Sequence, residues 1–205
     1  STSRGFGDLY NRQAIILDDP STLLTTTDTL DTPDTGVATT LAVTTGGTGY
    51  KSATGLATTG GNGSGLSVNI TVSTGTVNAL GSITAGGSGY AATGTGAATT
   101  STGSGAGLTV DFTATGGVVD GVTINTAGDA NYSEGDVITI SGAGANATFT
   151  IPSGGVSGPI TGVVNAGGGT LYQANDVVTV TQTGGATCTL TIGAVQDTSI
   201  AITEA

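Results

Sequence analysis

Asp129, Glu134 and Asp136 stand close enough in the chain to offer carboxylate oxygens to a calcium ion, a hard cation that binds oxygen ligands. The stretch has neither the EF-hand spacing nor the Gly-rich Asp nonapeptide of calcium β-rolls, so it reads as a solvated turn, and stability indifferent to chelators is expected. Asp111 and Asp120 are a second pair to test, because glycoside hydrolysis needs two carboxyl groups at a set separation. Such a cleft also needs aromatics, and only Phe112 is near. The string GGNGSG (60–65) has the glycines of a phosphate-binding loop, but no Lys-Ser/Thr follows and no helix is expected to receive a phosphate. Cys188, in ATCTLTIG (186–193), reads as a small buried hydrophobe, since no His is present to activate a thiol. No catalytic, cofactor-binding or metal-binding residue is therefore assigned.

Composition withholds most of the reagents of catalysis. The 205 residues include no His, Met or Trp, one Cys, and three basic residues, Arg4, Arg12 and Lys51, against fourteen acidic ones. General acid–base chemistry near neutral pH relies most often on His, and oxyanion or phosphate clamps on Arg or Lys. The reading is a protein that is not an enzyme. A net charge of −11, with no cation from residue 52 onward, argues against nucleic acid and anionic membranes as partners. One Cys cannot form an internal disulfide, and no signal-like or bilayer-spanning run is present, so synthesis and folding in a cytoplasm are expected unless a leader has already been removed.

The elements that would position any site come from a repeat. Tyr50, Tyr90, Tyr132 and Tyr172 lie 40, 42 and 40 residues apart, each after an apolar and Thr alternation and a Gly-rich turn: LAVTTGGTGY (41–50), SITAGGSGY (82–90), VTINTAGDANY (122–132) and GVVNAGGGTLY (162–172). A hydrophobic fraction of 36% with only 8% charged residues argues for order despite 38 glycines. From Val37 each unit reads as three strands: one before the tyrosine, one after it, as in GDVITIS (135–141) and NDVVTVT (175–181), and a third after a Gly-rich turn. The third strands are LSVNITVS (66–73), LTVDFTAT (108–115), ATFTIP (147–152) and CTLTIG (188–193). The second strand is expected to be shorter or looser in the first two units, where Lys51 to Thr59 and Ala91 to Thr100 are rich in Gly, Ala and Thr.

The fold expected is all-β: an array of about four 40-residue β-repeats (units about 37–82, 83–122, 123–164 and 165–205) behind an N-terminal arm, residues 1–36. The tyrosines read as structural caps, ring on the apolar strand face and hydroxyl on a polar partner, in preference to a row of sugar-stacking platforms. Residues 1–36 fit no tyrosine-anchored unit. They read either as an extended arm lying on a partner through Phe6, Tyr10, Ile15, Ile16, Leu17, Leu23 and Leu24, or as an ordinary N-terminal strand closing the edge of the first repeat.

The recurring [G/A]-G-x-G-Y, β-run, Gly-rich turn and Val/Thr alternation over residues 37–203 resembles the Gly/Thr-rich repeats of virion structural proteins of tailed phages, notably those infecting cyanobacteria. The resemblance implies a β-rich, non-enzymatic component of the virion surface, partnered by other virion proteins and by itself as a homo-oligomer, a trimer being one form. The expected role is a capsid decoration (cement) protein that docks by its arm and packs laterally through its repeats. One alternative is a tail or neck fibre or whisker, which would favour a receptor-binding tip with exposed aromatics that SIAITEA (199–205) does not offer. Another is a secreted surface-layer or filament subunit.

Overall fold

The computed structural model describes residues 35–142 and 144–197. The arm residues Phe6, Tyr10, Ile15, Ile16, Leu17, Leu23 and Leu24 lie outside the described residues. Every regular element described is a strand. Around Tyr50 stand β1 (Gly36–Thr45), β2 (Ala53–Gly60) and β3 (Ser64–Thr71), and around Tyr90 stand β5 (Ile83–Ser88), β6 (Thr93–Ser101) and β7 (Leu108–Thr115). Tyr132 has β8 (Val118–Ala127), β9 (Val137–Ile140) and β10 (Ala145–Thr150), and Tyr172 has β12 (Gly162–Thr170), β13 (Val177–Val180) and β14 (Thr189–Asp197). The short β4 (Thr76–Val77) and β11 (Val156–Ser157) lie in the connections.

Within each group only the second and third strands pair with one another, and the groups are not stacked one after another as a linear array. The first group interleaves with the last in one antiparallel sheet, order β1-β14-β13-β2-β3-β12, and the second with the third in another, order β5-β10-β9-β6-β7-β8. Exchanging the two groups within either sheet reproduces its strand order, so each sheet has an internal two-fold topology. Each sheet also curls until its edge strands meet. In the first, Gly36 and Tyr172 exchange backbone hydrogen bonds at 2.8 and 3.0 Å, and Asn165 Nδ2 donates to the Ala38 carbonyl. In the second, the Tyr90 N–H donates to the Gly117 carbonyl at 3.1 Å. The result is an inserted barrel, residues 83–150, within a split barrel built from residues 36–71 and 162–197.

Period-2 alternation sets what each barrel encloses, because successive side chains of a strand point to opposite faces. Leu66, Val68 and Ile70 of β3 face inward with Val178, Val180, Leu190 and Ile192, while the intervening Thr, Ser and Asn face out. Leu108, Val110 and Phe112 of β7 do the same beside Ile138, Ile140 and Phe149. Each fully buried Leu, Ile or Val contributes about 1.5–3 kcal/mol relative to an exposed one. No described polar or charged residue is buried in either core.

The second strands correct the expectation from sequence. With eight and nine residues, β2 and β6 are longer than β9 and β13, which have four each. Each carries a register shift instead, between Ala53 and Leu56 and between Gly94 and Ala97. At the bulges Gly55 (φ 67°) and Gly96 (φ 62°) adopt a backbone that L side chains rarely take. Their N–H groups donate to Asn69 Oδ1 at 2.8 Å and Asp111 Oδ1 at 2.7 Å, so the same device recurs in both barrels.

Between the barrels β4 and β11 pair as a ribbon, Val77 opposite Val156 and both buried. The ribbon is fastened at one end, where Gly75 and Gly158 face each other, through two tyrosine backbones. Gly75 exchanges hydrogen bonds with Tyr132 of the inserted barrel at 2.9 and 3.2 Å, and Gly158 exchanges two at 2.9 Å with Tyr50 of the split barrel.

Candidate functional site

The four tyrosines are the most repeated polar feature of the chain, and all four rings are buried, at 1 to 5% exposure. A phenol hydroxyl taken from water needs a partner, and in three of the four it finds one on the interleaved group. Tyr50 donates to the Val180 carbonyl at 3.0 Å and accepts from the Cys188 N–H at 3.4 Å. Tyr90 donates to the Ile140 carbonyl at 3.4 Å and accepts from the Ala147 N–H at 3.2 Å. Tyr132 accepts from the Leu108 N–H at 3.0 Å.

Each ring also lies flat on a glycine of the interleaved group. Tyr50 rests on Gly185, Tyr90 on Gly144, Tyr132 on Gly105 and Tyr172 on Gly63. A Cβ on Gly63 would sit 2.5 Å from Tyr172 Cγ, and one on Gly144 would sit 2.6 Å from Tyr90 Cδ2, so any larger residue would displace the ring. These glycines occupy the turn before each third strand. The sequence marks that turn as Gly-rich without revealing why, since the ring that needs the space comes from another group. GGNGSG is thus the seat of Tyr172. In the inserted barrel Tyr90 also meets Phe112 edge-on, ring centroids 5.3 Å apart.

The carboxylates singled out as calcium ligands each accept from backbone N–H donors of their own. Asp129 accepts from the Ala106 and Asn131 N–H groups, both at 3.1 Å, and these hold its carboxyl below the ordinary value. Glu134 accepts from the Gly154 N–H at 2.8 Å, and Asp136 from the Ser133 N–H at 3.0 Å. Among the described residues no three acidic, His or Cys side chains gather as a metal site. Asp176 repeats the turn of Asp136, accepting from the Gln173 N–H at 3.0 Å.

Asp111 and Asp120 lie on the outer face of β7 and β8, beside a shallow groove of about 230 Å³ lined by Asp111, Phe112, Thr113, Gly121, Val122 and Thr123. Phe112 turns into the core and presents no stacking platform. Asp120 accepts from Thr115 Oγ1 at 2.6 Å and Thr113 Oγ1 at 2.7 Å, and these hydroxyls lower its pKa. A general acid of a glycosidase needs the opposite shift. Cys188 is buried, and loss of solvent pushes its thiol pKa up, away from a nucleophile's.

Compared with known proteins, the chain matches no family model, no curated protein and no solved structure.

Proposed function

We propose that the protein is a structural component of a virion surface, a capsid decoration protein that docks through its N-terminal segment and packs laterally through its barrels against sister copies. The observation that carries this reading is the burial of Tyr50, Tyr90, Tyr132 and Tyr172, whose rings serve the barrels and are not offered outward. Stacking on a glycan requires an exposed aromatic face, so the tyrosine row favours decoration over a receptor-binding fibre. The outer faces carry Thr, Ser, Asn and Asp joined in short hydrogen-bonded sets, such as Asp111 with Asn125 at 3.0 Å and Ser73 with Thr161 at 2.7 Å. Such a surface suits a repeated, water-facing shell contact.

The test is a truncation that keeps Gly36, because Gly36 closes the split barrel against Tyr172. A protein lacking residues 1–34 is expected to keep its β circular dichroism and melting temperature while losing its binding to purified particles. Unchanged binding would remove the N-terminal segment from the account. Cryo-electron microscopy of particles with the full chain would then locate it on head, neck or tail, and a tail or neck position would replace decoration by the fibre reading.

A further inference from the structure

Asn62-Gly63 is the one Asn-Gly step in the sequence. Glycine after asparagine leaves the following amide nitrogen unshielded, the arrangement most prone to attack on the asparagine side chain. The other three seats have Ser104, Ala143 and Gly184 before the seat glycine, so this liability belongs to the Tyr172 seat alone. Asn62 is exposed and is held by three hydrogen bonds: its N–H donates to Asp176 Oδ2, and its Nδ2 to Asp176 Oδ1 and Gln173 Oε1, each at 3.0 Å.

We propose that Asn62 is a site of spontaneous covalent modification, a slow deamidation switch restrained by Asp176 and Gln173, whose firing unseats Tyr172 and loosens the split barrel. The Gly63 nitrogen attacks Asn62 Cγ, a C–N bond forms, and the side-chain nitrogen leaves as ammonia, giving a cyclic imide. Water then opens the imide at either carbonyl, yielding aspartate or isoaspartate. The net change is one water consumed and one ammonia released, with no oxidant or enzyme.

Two structural consequences follow. The product loses the two bonds donated by Nδ2 and sets a new carboxylate against the Asp176 carboxylate and the Gln173 carbonyl oxygen, where like charges repel. The isoaspartyl form also routes the main chain through Cβ, lengthening it immediately before Gly63. Gly63 has no spare room, because the Tyr172 ring and the Thr170 carbonyl lie against it.

For the Gly63 nitrogen to reach Cγ, the Asn62 side chain must first leave its two acceptors, so the clamp sets the rate. The full-length protein, kept at neutral pH in oxygen-labelled water and then digested for mass spectrometry, reads both site and rate. Label is expected to accumulate at residue 62 ahead of every other asparagine in 35–197, and several-fold faster in Asp176→Ala. If Asp176→Ala does not fold, Gln173→Ala, which removes a single acceptor, gives the same comparison. The modified fraction is expected to melt below fresh protein. Asn62→Asp should reproduce part of that loss, and adding Asp176→Asn should recover some of it. Absence of label at residue 62, equal rates in the clamp variants, or an unchanged melting temperature after modification would each overturn the proposal. The proposal is independent of any role at a virion surface.

Discussion

The hydroxyl of Tyr50 donates to the carbonyl of Val180 at 3.0 Å, so a side chain from the first strand group is satisfied by a strand of the last. The same exchange joins Tyr90 to Ile140 and Tyr132 to Leu108 in the inserted barrel. A group of three strands exposes its own apolar face and leaves its tyrosine without a partner. Two interleaved groups correct both deficits at once.

Removing a ring should therefore weaken a whole barrel. Tyr132→Ala is expected to cost about 3–5 kcal/mol, as large-to-small core substitutions of aromatics do. Tyr132→Phe keeps the ring but leaves the Leu108 N–H without its acceptor, and should cost about 1–3 kcal/mol. Denaturant unfolding of both variants measures the difference. A Tyr132→Ala protein as stable as wild type would show that the ring is not a cap.

The glycine seats can be tested by coupling. Gly105→Ala adds a single methyl where the Tyr132 ring already lies, and overpacking of this kind costs about 1–3 kcal/mol. In a Tyr132→Ala background the added methyl should cost almost nothing. The two substitutions are then strongly non-additive, as contacting residues are. Additive losses would place the strain elsewhere.

Leu171 is 55% exposed and holds φ at 63°, a left-handed backbone that Gly49 and Gly89 adopt just before the first two tyrosines. For a residue with a branched side chain that conformation costs about 1–2 kcal/mol. Leu171→Asn is expected to raise stability by about 1 kcal/mol, because Asn tolerates this region. A lower melting temperature for Leu171→Asn would mean that the exposed leucine makes a compensating contact.

Acid should weaken the fold through Asp120 and Asp129. Both carboxyls are held below their ordinary value of 3.8 by hydrogen bonds in the folded protein. A depressed folded pKa contributes stability that is present above the unfolded value and is lost as pH falls through the folded one. Both groups are exposed, so the contribution is small and screened by salt. The melting temperature of wild type is expected to fall more steeply on acidification below 3.8 than that of Asp120→Asn. Superimposable profiles would assign the acid sensitivity to other groups.

The third strands were legible in the sequence because Val, Leu and Ile alternate there with Thr, as in Leu108, Val110 and Phe112 on β7. β2 and β6 were harder to read, and the reason is their neighbours. In ATGLATTG (53–60) no side chain is fully buried, and the strand is held by the ladders of β3 and β13 on its two sides. The pairing of the first group with the last was also hidden, since all groups share one periodicity and nothing local distinguishes a partner. Of the candidate site, the tyrosines declared themselves by spacing. Their seats at Gly63, Gly105, Gly144 and Gly185 did not, because a glycine contributes a vacancy and the ring that fills it comes from elsewhere in the chain.

The insertion of one barrel inside the other also sets an order of assembly. Residues 83–150 are contiguous, so the inserted barrel can close as soon as β10 has left the ribosome. The split barrel must wait for β12, β13 and β14, and its ladders join positions as distant as Gly36 and Asp197. Non-local pairing of this kind slows folding, and nascent domains generally fold as units. During synthesis β1 and the outer edges of the β2–β3 pair therefore stay without their partners until β12, β13 and β14 emerge, which leaves the first strand group in need of protection from aggregation.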